Sequence, residues 1–376
     1  MRRDGAINWP DWSAARKVVL IRLRSIGDTV LMTPCLAALK AMRPEIKITV
    51  VSEPLAAPII EDHPLVDRLL VAERSLGGRA RVIGQLRRAR YDVAFDLHGG
   101  TTATGLARFA AARWSVGYAG YRHSRWLDRR APDPDVILGR KRLHSVEQQL
   151  ALLHWAGVPW PVGRPRLSLA VSSDAEQSML EKLNAARAEQ ANDSRAADEI
   201  ARGHFAVVAP AAAFESKRWT ASGFAEVARH LRDRWALPSV VIAGPGQESL
   251  AKEVAAQADA LALSGLTLKE LVALIHVSRA FVGNDGGPMH IAAALNRPLV
   301  AVFGSSNPDV WHPWTDSPYR VIGGQGPGAG GRTDDARWQK DTNAPDADGS
   351  FAIQRIRASE VIAATDNVLK LALAAS

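Results

Sequence analysis

A carboxylate, two adjacent glycines and a histidine stand close together in GNDGGPMH: Asp285, Gly286, Gly287 and His290. Glycine leaves backbone amides bare, and Pro288 suits the first position of a helix. Those amides and the positive end of the helix dipole would together hold a phosphate or another anion. A tight strand-to-helix connection, with His290 a satisfied helix residue, accounts for the same residues equally well when the motif is taken alone.

The surroundings show what must position it. Residues 280–282 are apolar and read as a strand, residues 288–295 as a short helix stopped by Asn296 and Pro298, and LVAVFG as a buried parallel strand. Open α/β sheets bind ligands at such turns, beyond the carboxyl ends of their strands. The same alternation runs along the chain. VVLIRL, IKITVV, VDRLLVA and YDVAFDLH are expected strands of a first Rossmann-like domain. The intervening helices are expected from Thr33 as cap to about Met42, near 55–60, near 81–89 and over 104–112. HSVEQQLALLHWA is an expected helix, residues 167–171 an expected strand, and the charged stretch after it holds the domain junction. AVVAP, SVVIAG and LALSG, with helices between and after them, begin the second domain.

The 376 residues suit two domains, and 47% hydrophobic with 23% charged content is that of a soluble globular protein. No stretch is apolar enough to span a bilayer, and the N-terminal region lacks the apolar core of a signal peptide. Cys35 is the one cysteine, expected as core filler, so a cytoplasmic location is expected. The net charge of +8 is uneven. Residues 1–150 carry 25 Lys and Arg against 15 Asp and Glu, and the remainder 22 against 24. A basic front half suggests an acidic partner: a phosphorylated glycolipid, anionic lipid headgroups or nucleic acid. Nucleic acid is the weakest choice and is not expected, because no zinc-finger or RNA-binding signature is present.

Four ordered motifs, RLRSIGDTVLMTP, the DLHG turn at 96–99, SKRWTASGF and GNDGGPMH, precede PLVAVFG and a tail with Trp311, Pro313 and Trp314. Together they resemble the heptosyltransferases of glycosyltransferase family 9 over nearly the whole chain, residues 323–350 being the clearest departure. The resemblance implies an α/β fold of GT-B type, two Rossmann-like domains with parallel sheets facing a central cleft. It divides the chain into an acceptor-binding domain over 1–175, a nucleotide-sugar-binding domain over 204–322, a flexible loop over 323–350, and a final segment, 351–376, packing back toward the first domain.

The resemblance also implies roles. Asp28 would be the general base that deprotonates the acceptor hydroxyl, although aspartate after Gly27 also serves as a cap. Lys217 would neutralise the departing diphosphate; a solvated loop charge is the plainer reading. Glu248 would hold the nucleoside ribose, or merely favour the dipole of its helix. Asp285, Gly286, Gly287 and His290 would complete the nucleotide pocket, with Gly286 where many relatives carry Thr or Ser. Arg22 and Arg24, on one face if strand alternation holds, and His98 are acceptor-binding candidates, with Arg122 and His123 of the same standing.

No metal is expected. Asp133-Pro134-Asp135 has D-x-D spacing but lies in an irregular basic segment, and GPGAGG has no helix after it, so neither is read as a site. The chain is therefore expected to be an inverting, metal-independent glycosyltransferase with no cofactor, moving heptose from ADP-heptose to a lipopolysaccharide core or related acidic glycolipid. Peripheral contact with an anionic inner-membrane surface is a further expectation. The alternatives are a GT-B transferase using a UDP- or GDP-sugar, and a nucleotide- or glycan-binding protein without catalysis.

Overall fold

The computed structural model describes residues 11–110, 112–190, 194–324 and 351–375. The chain divides into two compact units between Ala170 and Val171.

The first unit is built on six parallel strands: β1 (Lys17–Ile21), β2 (Lys47–Ser52), β3 (Arg68–Val71), β4 (Val93–Asp96), β5 (Trp114–Tyr118) and β6 (Arg129–Ala131). Their order is β3-β2-β1-β4-β5-β6, with Leu20 of β1 registered against Val50 on one side and Phe95 on the other. Residues 18–21 are fully buried because helices cover both faces of a parallel sheet, which is why VVLI lacks polar alternation. Strands β5 and β6 were not expected. Ser115 and the pair Arg129 and Arg130 interrupt the apolar pattern in sequence, yet the guanidinium of Arg129 stacks 4.2 Å from the Trp114 ring.

The second unit repeats the plan with β7 (Ala206–Ala209), β8 (Ser239–Ile242), β9 (Leu261–Leu263), β10 (Ala280–Asn284), β11 (Leu299–Phe303) and β12 (Tyr319–Gly323), in the order β12-β11-β10-β7-β8-β9. Each sheet therefore starts in its middle, grows one way and then reverses. The reversals fall between β1 and β4 in one unit and between β7 and β10 in the other. Loops leaving those strands part at the reversal and leave a crevice where ligands bind in such sheets.

Several expectations are corrected. The first helix begins at Ile26 and runs to Leu31, and a second spans Thr33–Met42. Thr33 is buried and not a cap: it donates to Val30 O at 2.8 Å and accepts from Ser168 N at 3.1 Å. Residues 167–171 form no strand, since side chains rather than a ladder hold that segment, with His63 Nε2 2.9 Å from Ser168 Oγ. The second unit starts before 204. Helix Ser173–Gln190 buries Ala175, Met179, Leu183 and Ala186 at helical spacing, and its Lys182 pairs with Glu270 at 2.8 Å.

The final helix, Ala358–Ala374, was expected to pack back toward the first domain. Its buried face, Val361, Ala364, Val368 and Leu369, belongs to the second unit's core, and its Asp366 accepts from Trp235 Nε1 at 2.7 Å. The segment expected as a flexible loop lies, from residue 325, outside the described residues, and GPGAGG with it.

Candidate functional site

Three of the expected residues meet beyond the first reversal. β1 ends at Ile21, so residues 22–25 are not strand and alternation does not govern Arg22 and Arg24. Arg22 turns inward: its guanidinium donates to Asp28 Oδ1 and to the carbonyl of Leu97 after β4, with 12% of the side chain exposed against 15% for Asp28. Arg24 is exposed. Asp28 Oδ2 accepts from Ser25 N at 3.0 Å and Ser25 Oγ at 2.9 Å, so the carboxylate supports its own helix start while lying beside the crevice. The capping and the catalytic readings of Asp28 are thus compatible. A carboxylate accepts about four hydrogen bonds, so these three partners leave capacity for an incoming hydroxyl.

His98 follows β4 and is held neutral. Burial, with Arg22 close by, lowers its pKa to about 4, a fall that the Asp28 charge opposes. Its Nδ1 and the Nε of Arg22 are buried without a hydrogen-bond partner among the described residues. Two polar groups so placed are ready to meet a ligand. The turn carrying His98 is tied by Asp96, which accepts from His98 N at 3.0 Å, Gly99 N at 2.7 Å and Thr104 Oγ1 at 2.8 Å. Complete burial raises the Asp96 carboxyl to about 6, the three hydrogen bonds offsetting only part of that cost.

At the second reversal the ionic roles are exchanged. Asp285 follows β10 with 5% of its side chain exposed, and its Oδ2 accepts from Lys217 Nζ at 2.8 Å and from Ser306 Oγ. Burial would raise this carboxyl, but the charges of Lys217 and His290 and these hydrogen bonds outweigh it and hold the pKa low. Lys217 closes the turn Glu215–Lys217 after β7, and two contacts fix that loop. Asn284 accepts from Trp219 N at 3.1 Å and donates to Pro210 O at 2.8 Å. Gly304 lets the loop backbone approach so closely that a Cβ there would lie 1.9 Å from Ser216 O.

Helix Gly287–Ala294 opens beside Asp285. Gly286 caps it in extended conformation, φ −179°, and a Cβ there would find its nearest neighbours at 3.8 and 4.0 Å. Glycine is therefore not required at Gly286. His290 is buried within the helix, its ring edge-on to Trp311 at 6.4 Å. The result is an ammonium with N–H donors to spare, paired with a buried carboxylate two residues before a helix begins. That arrangement suits a phosphate group.

Other candidates are placed differently. Glu248 opens the helix after β8, where Oε1 accepts from Gly246 N at 3.0 Å. Backbone hydrogen bonds in its own turn lower its pKa. The carbonyl of Arg122 accepts from Thr104 Oγ1 at 3.4 Å, and His123, at φ 64°, stacks on Trp126 at 4.4 Å. Asp133 and Asp135 begin the short helix Pro134–Leu138. Sequence reasoning quoted Asp96, Asn284 and Gly304 within motifs but gave them no role, and passed over Ser306. Only Asp96 and Asn284 carried a signal, as polar residues ending apolar strands.

Comparison with known proteins agrees with this architecture. A solved structure titled E. coli ADP-heptose lps heptosyltransferase II superposes with a TM-score of 0.71 at 24% identity, covering 94% of this chain and 98% of that one. One of a family 9 glycosyltransferase from Veillonella parvula gives 0.73 at 20% identity, covering 94% and 97%. These likenesses establish the shared GT-B type of fold. Lipopolysaccharide heptosyltransferase 2 of Salmonella typhimurium is 30% identical over 319 residues, 79% of this chain and 85% of that protein. Lipopolysaccharide heptosyltransferase 3 of E. coli K12 is 28% identical over 313, covering 78% and 84%. The family model described as glycosyltransferase family 9 (heptosyltransferase) matches residues 79–329, more than half of the chain, and the protein belongs to that family.

Proposed function

We propose that this glycosyltransferase moves a heptose from ADP-heptose to a lipopolysaccharide core or related acidic glycolipid, with inversion and without a metal ion. The observation that carries the reading is the Lys217–Asp285 pair, 2.8 Å apart at the start of helix Gly287–Ala294. Charge grows on the leaving diphosphate as the glycosidic bond breaks. Lys217 and the first amides of the helix supply fixed positive charge at that place, which is the part a divalent cation would otherwise play.

Asp28 takes the proton from the attacking acceptor hydroxyl, which approaches the anomeric carbon opposite the leaving group and so inverts it. Arg22 holds Asp28 in place through its guanidinium. Arg24 and His98 bind the acceptor, whose acidic groups match the excess of Lys and Arg in residues 1–150. Asp285, Gly286, Gly287 and His290 bind the nucleotide, and Glu248 its ribose. The names of the heptosyltransferase relatives support the donor and acceptor classes. No helix among the described residues is long and apolar enough to cross a membrane.

The test is turnover of ADP-heptose with a heptose-deficient core acceptor in excess EDTA, alongside thermal shifts with ADP, UDP and GDP. ADP-selective stabilisation and undiminished turnover in EDTA are expected. Selectivity for UDP or GDP would replace the donor, and activity that vanishes in EDTA and returns with a divalent cation would remove the metal-free mechanism.

A further inference from the structure

Helix Leu76–Ala89 is the most one-sidedly charged surface element of the first unit. Residues 76–90 hold five arginines, Arg79, Arg81, Arg87, Arg88 and Arg90, and no acid. Its inner face buries Gly78, Val82 and Leu86 at fourfold spacing. The opposite face exposes Arg81, Arg87 and Arg88, with Ala80 between them and nothing bulky to keep the guanidinium groups from a flat surface. The acid nearest this face in an ion pair is Glu73, 3.9 Å from Arg81 with both side chains more than half exposed, a contact weak enough to exchange.

Beside the helix start lies an apolar rim. Leu76 is 85% exposed, Leu55 71% and Val71 42%. Leu55 follows β2, while Val71 ends β3 and pairs with Ser52 of β2. The two loops are also joined by the Arg74–Glu53 ion pair at 3.0 Å. Three exposed apolar side chains on tethered segments, flanked by exposed arginines of which only Arg81 makes an ion pair, a weak one, match the two layers of an anionic bilayer surface: apolar groups reach the acyl boundary and guanidinium groups of Arg81, Arg87 and Arg88 the headgroup phosphates.

We propose that helix Leu76–Ala89 and the rim of Leu55, Val71 and Leu76 dock the first unit on an anionic lipid surface. The rim lies at the carboxyl ends of β2 and β3, the same side of the sheet as Asp28 at the end of β1. Docking there would present Asp28 to a lipid-anchored acceptor. This purpose rests on the glycolipid reading, but the binding itself does not.

Sedimentation of the full chain with phosphatidylcholine vesicles, with and without phosphatidylglycerol, separates the two. Wild type should bind only the anionic vesicles and release at high salt. The combined Arg81→Gln, Arg87→Gln, Arg88→Gln variant should bind about a hundredfold more weakly, roughly fivefold per arginine. Leu76→Asp, at a position 85% exposed, should weaken binding severalfold. Both variants should keep wild-type turnover on detergent-solubilised acceptor and lose it on vesicle-embedded acceptor. Equal binding to both vesicle types, an undiminished triple variant, or preference for duplex DNA over anionic vesicles would overturn the proposal. Vesicle binding without any turnover would leave the docking surface standing and remove the enzymatic reading.

Discussion

The two reversals share one strand order and differ in which charge is the support. Beyond β10, Asp285 is the anchored member, buried and bonded to Ser306, and it carries Lys217, 29% exposed. Beyond β1, Arg22 is anchored, through the Leu97 carbonyl, and it carries Asp28. In the proposed mechanism Lys217 is the working cation of a phosphate site and Asp28 the working anion of a proton-accepting site, so each would be held by a counter-charge fixed from below. Sheet topology supplies the crevice; the choice of buried partner sets its chemistry.

Asp28→Asn is expected to break one side of this comparison most sharply. It keeps the shape and most hydrogen bonds of the side chain while removing the base, so turnover should fall about a thousandfold. ADP-induced thermal stabilisation should be unchanged. Full activity would remove Asp28 from the mechanism.

Lys217→Ala comes next, with turnover down about a hundredfold and ADP binding weakened. It also leaves the Asp285 carboxylate buried without its partner, so the melting transition should lose roughly 2 kcal/mol, a value reduced for Lys217's partial exposure. Adding Asp285→Asn should restore the melting transition but not the turnover. If the second substitution restores no stability, Asp285 is not the buried support.

Electrostatics within the first site give a smaller effect. Asp96, whose pKa is raised to about 6 from 3.8, binds its proton more readily folded than unfolded, so it withdraws stability as pH rises through that window. His98, lowered to about 4 from 6.5, is protonated more readily unfolded, so it adds stability as pH rises through nearly the same window. The two slopes oppose each other. Thermal melts against pH should therefore fall more steeply with rising pH in His98→Gln than in wild type, and rise more steeply in Asp96→Asn. Identical slopes in all three proteins would contradict the assignment. Gly286→Ser should have the least effect: an unchanged melt, since space for a Cβ exists, and a few-fold gain in ADP affinity from one added hydroxyl.

Strand periodicity made most of both sheets legible. VVLI, TVV, AVVA and LVAVF are apolar because parallel strands are covered on both faces, and glycine-rich turns after β4 and β10 mark carboxyl ends. What escaped were the edge strand β6 and its neighbour β5, where arginine, serine and glycine interrupt the apolar pattern. The 167–171 stretch misled for the opposite reason, being strand-like in composition but held by His63 and Thr33 side chains.

Taken by itself, the order of residues determined two α/β units, their basic and neutral halves, and the turns at which Asp28, His98, Lys217 and Asp285 occur. Only tertiary structure decided which of these touch. Arg22 reaches Asp28 across six positions of chain, but Lys217 reaches Asp285 across 68, by way of β7 and β10 becoming neighbours. Ser306 and Gly304 owe their importance to the same juxtaposition. The final helix is the counterpart: its amphipathic pattern declared that it would pack, and the apolar surface of the second core decided where. Local patterns report what a segment must bury, while partners distant in sequence are selected by the cooperative assembly of the sheet.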